Sequence, residues 1–166
     1  MNTTTADVPA VLIWLEHRPF AIAIAESTWW FPIIETLHVL ALTVVVGSVF
    51  MMDLRLLGLG SRNRAASEVI ASSLPWAWTA FAMAFLMGSL LFSSKAATYY
   101  LNLPFRIKMV CLALAAVNML VFHFFTARRM AAWDRGTPPP AARFAAACSL
   151  TLWIVIVATG RWIGFT

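Results

Sequence analysis

The sequence predicts an all-α integral membrane bundle of four transmembrane helices preceded by a short interfacial helix. Three observations predict it. Of 166 residues, 61% are hydrophobic and only 11% are charged, against roughly 25% charged in a soluble domain. Four apolar segments each reach the about 20 residues that a helix needs to cross the hydrocarbon core. Seven of the ten arginines lie in or flank the first and third of the gaps between those segments. Each span is helical because lipid offers no partner to an open backbone.

Residues 1–27 form an N-terminal tail and an interfacial amphipathic helix, and residues 28–166 form the four-helix domain. Within the first part, VPAVLIWLEHRPFAIAIAE is apolar at both ends but holds Glu16, His17, Arg18 and Pro19 in its middle. Those groups at a bilayer centre would be costly. The segment therefore reads as a surface helix broken at Pro19. The first span runs over about 28–57, with Ser27-Thr28 as its N-cap and Pro32 in its first turn. The polar run 58–73 separates it from the second span, 75–94, and its centre suits a short surface helix. The third span covers 104–127. Asp134-Arg-Gly-Thr-Pro-Pro-Pro140 breaks the chain before the fourth, 142–164. With no basic n-region before the first apolar stretch, no cleavable signal peptide is expected.

The net charge is +5. In a membrane chain such charge fixes topology and meets anionic headgroups, and no basic stripe with interleaved aromatics points to nucleic acid. Arg55, Arg62, Arg64, Arg128, Arg129, Arg135 and Arg143 flank the first and third loops; Arg18, Lys95, Arg106, Lys108 and Arg161 lie toward the other side. That bias puts both termini outside and loops one and three in the cytoplasm. Trp29, Trp30, Tyr99, Tyr100 and Trp162 would form the outer aromatic belt.

Ionisable residues within spans are functional candidates. At about 100° per residue, Glu35, His38, Leu42, Val46, Val49 and Asp53 share one face of the first span, and Lys108, Ala115, Met119 and His123 share one face of the third. Both faces should point inward. His38 lies about 14 Å below Trp29 and His123 about 27 Å below Phe105. An offset of about 13 Å fits one haem clamped between the two histidines poorly. The residues sort instead into an outer layer of Glu35, His38, Lys108 and Arg161, and an inner layer of Asp53 and His123 with Arg55, Arg128 and Arg143 nearby. A Glu35–Lys108 pair would lower the cost of burying either. His38, one turn below, would be free to ligate a metal or haem iron or to relay a proton. Lys108 and Arg161 could receive haem propionates. His17 is interfacial unless the surface helix folds over the bundle toward His38. Either histidine of the spans can equally serve an interhelical hydrogen bond.

Met83 and Met87 form an i, i+4 pair, and Met51, Met52, Met109 and Met119 lie in the other spans. Thioethers suit Cu(I), although apolar packing explains them as well. Cys111 and Cys148 lack a partner at metal or redox spacing. Gly160 and Gly164 make a small-xxx-small pair that suits a packing or oligomer contact. There is no Walker loop, dinucleotide fingerprint, HExxH or CxxCH.

The stretch WFPIIETLHVLALTVVVGSVFMMDLRLLG resembles the first helix of a largely uncharacterised family of small bacterial inner-membrane proteins. The residues that carry the likeness are Pro32, Glu35, His38, Gly47, Asp53, Arg55, Leu57 and Gly58. Gly88, Tyr99, Asn102, Phe105, Lys108, Asn118, His123 and Gly160-Arg161 continue it. More distantly, an early His and a Lys followed by Asn or His resemble the copper-resistance protein D family and HemJ-type membrane proteins. That resemblance implies haem b chemistry or copper handling at His38 and Lys108. The chain departs from both in its shortness and in its N-terminal helix. Three readings follow: a haem b or redox protein with its site around His38; a non-catalytic subunit or anchor for a partner protein, or a homo-oligomer; and copper handling or transport through His38 and the methionines.

Overall fold

The computed structural model describes residues 8–61 and 63–165, without the Arg129 side chain. The first seven residues, Arg62 and the Arg129 side chain, all used in the sequence reading, lie outside the described residues. Two short helices, α1 (Ala10–Glu16) and α2 (Pro19–Glu26), precede the long α3 (Trp30–Leu56). Then come α4 (Ala66–Ser94), the short α5 (Ala96–Leu101), α6 (Leu103–Val121) and α7 (Pro140–Trp162). A π-helical turn, Phe122–Thr126, and a 3₁₀ segment, Ala127–Ala132, continue α6. Among the described residues, four helical stretches, of 27, 29, 24 and 26 residues, are long and apolar enough to cross a membrane.

The chain breaks where local chemistry demands it. Pro19 opens α2 after an extended Arg18, since the ring cannot continue α1. The Ser27 hydroxyl accepts from the amides of Trp29 and Trp30 at 3.2 and 3.0 Å. It thereby covers orphan donors at the start of α3. At the other end Gly58, at φ +75°, turns the chain out of α3, and the amides of residues 57, 58 and 59 close on Asp53, Arg55 and Leu54 carbonyls. Asn102 caps α6 by accepting from the Phe105 amide at 2.9 Å.

One boundary departs from expectation. The second long helix begins at Ala66, not near 75, and Pro75 lies inside it. The first turn is capped from a distant part of the chain. Asp134 accepts from the Ser67 amide and hydroxyl, both at 2.7 Å, and its carbonyl accepts from the Ala66 amide at 2.9 Å. A proline seen in isolation reads as a helix start. Here tertiary capping carries the helix more than two turns upstream of it.

α3 packs along α4 and α7, and α7 along α6, while α4 and α6 make no comparable contact. Val45, Cys111, Trp153 and Ile156 form the central core. Leu56, Ala66, Ala142 and Ala146 close one end, and Ile24, Ile34 and Leu91 close the other. α1 and α2 dock on that second end, where Glu16 accepts from the Ala97 amide at 2.9 Å. Trp29, Trp30, Tyr100 and Trp162 are exposed, whereas Tyr99 is tucked against Phe92 and Phe105.

Candidate functional site

α3 and α6 run in the same direction, and each brings one basic side chain into the bundle near its start. His38 sits on the buried face of α3, against α4. Its Nδ1 is 2.8 Å from the Ala84 carbonyl oxygen. A carbonyl can only accept, so Nδ1 carries the hydrogen and Nε2 keeps the lone pair. The ring lies so close to Gly88 that a Cβ there would stand 2.9 Å from Cε1 and 3.3 Å from Nδ1. An isolated glycine costs a helix interior roughly 1 kcal/mol relative to alanine. At position 88 it provides the space that the imidazole fills.

Lys108 occupies the matching position on α6. Its tail lies along α7, with Nζ 3.6 Å from where a Cβ on Gly160 would be. The ammonium acts electrostatically on the His38 ring. The structure seats His38 against Gly88 of α4 and Lys108 against Gly160 of α7, each against a glycine of the helix behind it.

The other members of that layer stand apart. Glu35 is exposed, and among the described residues no ion pair joins it to Lys108. The buried face at this end centres on Ile34, His38 and Ala41, which leaves Glu35 roughly 90° from its middle. Its charge acts instead on Tyr99. Burial first, and the Glu35 carboxylate second, push the Tyr99 phenol above its ordinary range, so it stays a hydrogen-bond donor. Arg161 is exposed and stacks over Phe165 at 5.2 Å.

His123 is exposed in the π-helical turn and packs edge-on against Phe124 at 5.3 Å. The inward face of α6 follows Lys108, Cys111, Ala115 and Asn118, and His123 lies roughly 100° from its middle. The expectation that Met119 and His123 share the inward face is therefore corrected. His17 is also exposed, with Nδ1 2.7 Å from the Ile13 carbonyl. Met51, Met83, Met109 and Met119 face outward. Among the described residues no group of three His, Cys, Asp or Glu side chains comes together to hold a metal.

The inner layer is structural in most of its parts. Arg55, 2% exposed, donates Nε to the Arg64 carbonyl at 2.9 Å and Nη2 to the Asp134 carbonyl at 3.0 Å. One guanidinium thus ties the α3–α4 loop to the α6–α7 linker. Asn118 donates to the Ala145 carbonyl at 3.0 Å and joins α6 to α7. Sequence reasoning missed the cap supplied by Asp134 and the cradle supplied by Gly88. A lone glycine in an apolar helix was a usable signal for the second; nothing local signalled the first.

An apolar groove of about 390 Å³ lies outside this group, between α1, α4–α5 and α6. It is lined by Leu12, Phe92, Tyr100, Phe105, Arg106 and Met109 among others.

Neither the curated proteins nor the solved structures provide a match to this chain. A family model does match, over residues 20–166, which takes in every long helix and both His38 and Lys108. The chain belongs to DUF6644, a family of unknown function.

Proposed function

We propose that this protein is a multi-pass protein of the bacterial inner membrane whose His38–Lys108 site binds haem b for membrane redox chemistry. The single observation that carries the reading is the Nδ1 bond from His38 to the Ala84 carbonyl. Metal-ligating histidines commonly donate the second ring nitrogen to a carbonyl, which fixes the tautomer and orients the ring. His38 is held in that form inside the bundle, within electrostatic reach of Lys108.

In this reading His38 would supply one nitrogen ligand through Nε2. Lys108, and Arg161 nearer the surface, would meet the propionates. Haem b supplies one-electron redox chemistry when bound. The chain's own part is to orient His38 through Ala84 and Gly88 and to place positive charge within electrostatic reach of it. His123 is unsuited to a second axial role, since it is exposed and lies on the inner continuation of α6. The distant likeness to HemJ-type and copper-resistance D proteins rests on the same His and Lys. Of the six span methionines, Met51, Met83, Met109 and Met119 face outward and Met52 and Met87 are partly buried, which favours haem over copper.

The Lys and Arg bias supports both termini on the periplasmic side, with α1 and α2 lying on the outer surface of the bilayer. Optical spectroscopy with metal analysis of the detergent-purified protein tests the reading. A Soret band with stoichiometric iron is expected. Protein purified from haem-replete cells without either would sink it.

A second reading has its own support. Glu35 and His123 are exposed on helices long enough to span, and polar groups facing lipid are costly. A partner protein or a second copy covering them would remove that cost. Substituting Glu35 by Lys should then reduce the particle size in mild detergent; an unchanged size would count against it.

A further inference from the structure

Fifteen residues beyond His38, about 22 Å along α3, Asp53 is 6% exposed. It lies near the end of the helix closed by Leu56, Ala66, Ala142 and Ala146. On α7 the Ser149 side chain is the hydrogen-bonding group that acts on its carboxyl group. The second oxygen, Oδ2, is fully buried and has no hydrogen-bond partner among the described residues. Nor does a described Lys, Arg or His form an ion pair with this carboxyl.

The nearest cation in sequence is committed elsewhere. Arg55 directs Nε and Nη2 to the Arg64 and Asp134 carbonyls. On α4 and its approach, Arg64 and Glu68 pair with each other, and Arg135 joins Glu68 at 3.7 Å, all on the exposed surface. From α6, Asn118 donates to Ala145, and His123 points outward. On α7, Arg143 is exposed. Among the described residues, the polar side chain that acts on Asp53 is Ser149, and no cation pairs with it.

An ionised carboxylate accepts hydrogen bonds at both oxygens and wants a counter-charge. A buried one that has neither is stable only in the neutral form. A carboxylic acid needs less, since one oxygen accepts from a hydroxyl and the other carries the hydrogen. We propose that Asp53 is a proton-binding site, protonated at neutral pH with the hydrogen on Oδ2, at the point where α3, the α3–α4 loop and α7 meet. Its ligand is a proton, and release of that proton would place an uncompensated charge two residues from the Arg55 tie. The site stands independently of any cofactor at His38.

A membrane-soluble carbodiimide tests this, because it reacts with protonated, lipid-accessible carboxylic acids. The acid O–H adds across one C=N bond, oxygen to carbon and hydrogen to nitrogen. Acyl transfer to nitrogen then gives a stable N-acylurea with nothing lost. Peptide mapping of the folded protein at neutral pH should place the adduct on Asp53 and not on exposed Glu68 or Asp134. Asp53→Asn should remove it while keeping the fold, since the amide mimics the neutral acid. Infrared difference spectra between wild type and Asp53→Asn decide the matter where the reagent cannot enter. The protonated-carboxyl C=O band should be present in wild type at neutral pH, absent from the variant, and lost from wild type as the pH is raised. Identical spectra in that region at neutral pH, or an Asp53 band of carboxylate form, would overturn the proposal.

Discussion

His38 has little freedom left. Its ring is fixed on one edge by the Ala84 carbonyl and on another by the backbone at Gly88. Gly88→Ala should therefore push the ring off its acceptor and destabilise the fold by about 1–3 kcal/mol, the usual cost of overpacking. Gly160→Ala, whose Cβ would meet Lys108 at ordinary contact distance, should be neutral or stabilising by up to about 1 kcal/mol, since alanine favours the helix. Thermal melts of the two variants in detergent give the comparison. Lys108 is a cation inside the bundle with no ion pair among the described residues. Lys108→Met should raise the melting temperature while impairing the site, as expected of a residue kept for function at the expense of stability. At this scale the sequence picked out His38 and Lys108 as ionisable residues inside long helices, and the structure leaves both half-buried. Sequence reasoning misplaced Glu35 and His123, because a period of 3.6 fixes relative angles along a helix but not the middle of the buried face.

Helix ends carry the next set of consequences. α4 owes its first turns to Asp134, some seventy residues later in the chain. Hydrogen bonds from the Ser67 amide and then its hydroxyl hold the Asp134 carboxyl below its ordinary value. The sign follows directly. A lowered folded pKa means stability that is present above the unfolded carboxylate range, about pH 4, and is lost as pH falls through the folded value. Acid should loosen the α6–α7 linker from α4 before it melts the bundle, and Asp134→Ala should abolish that acid step. Amide exchange at the start of α4 measures both. Gly58 at φ +75° should resist substitution, with Gly58→Ala costing about 1–2 kcal/mol from left-handed strain. The spans and the breaks at Pro19, Ser27 and the Pro138–Pro140 run were legible because each has a local cause. The start of α4 was not, because its cap comes from another part of the chain and Pro75 gives a competing local signal.

For the molecule as a whole, four long apolar helices after a short surface segment broken at Pro19 were readable from composition and spacing; the docking of that segment as two helices on one end of the bundle was not. Which helices touch was not readable either, since four amphipathic spans permit several arrangements. The packing of α3 on both α4 and α7 is what brings His38 to Gly88 and leaves Asp53 against Ser149. If both termini are periplasmic, single cysteines placed before Val8 and after Gly164 should react with an impermeant thiol reagent in intact cells, and one replacing Asn63 should not. On the proposed function, the cofactor depends on His38 and not on the histidine at the other end of the bundle. Optical spectra of purified His38→Ala and His123→Ala, each shown to be folded, test this most directly. The Soret band should be retained in His123→Ala and lost in His38→Ala. A band that survives in His38→Ala, or disappears in His123→Ala, would contradict it.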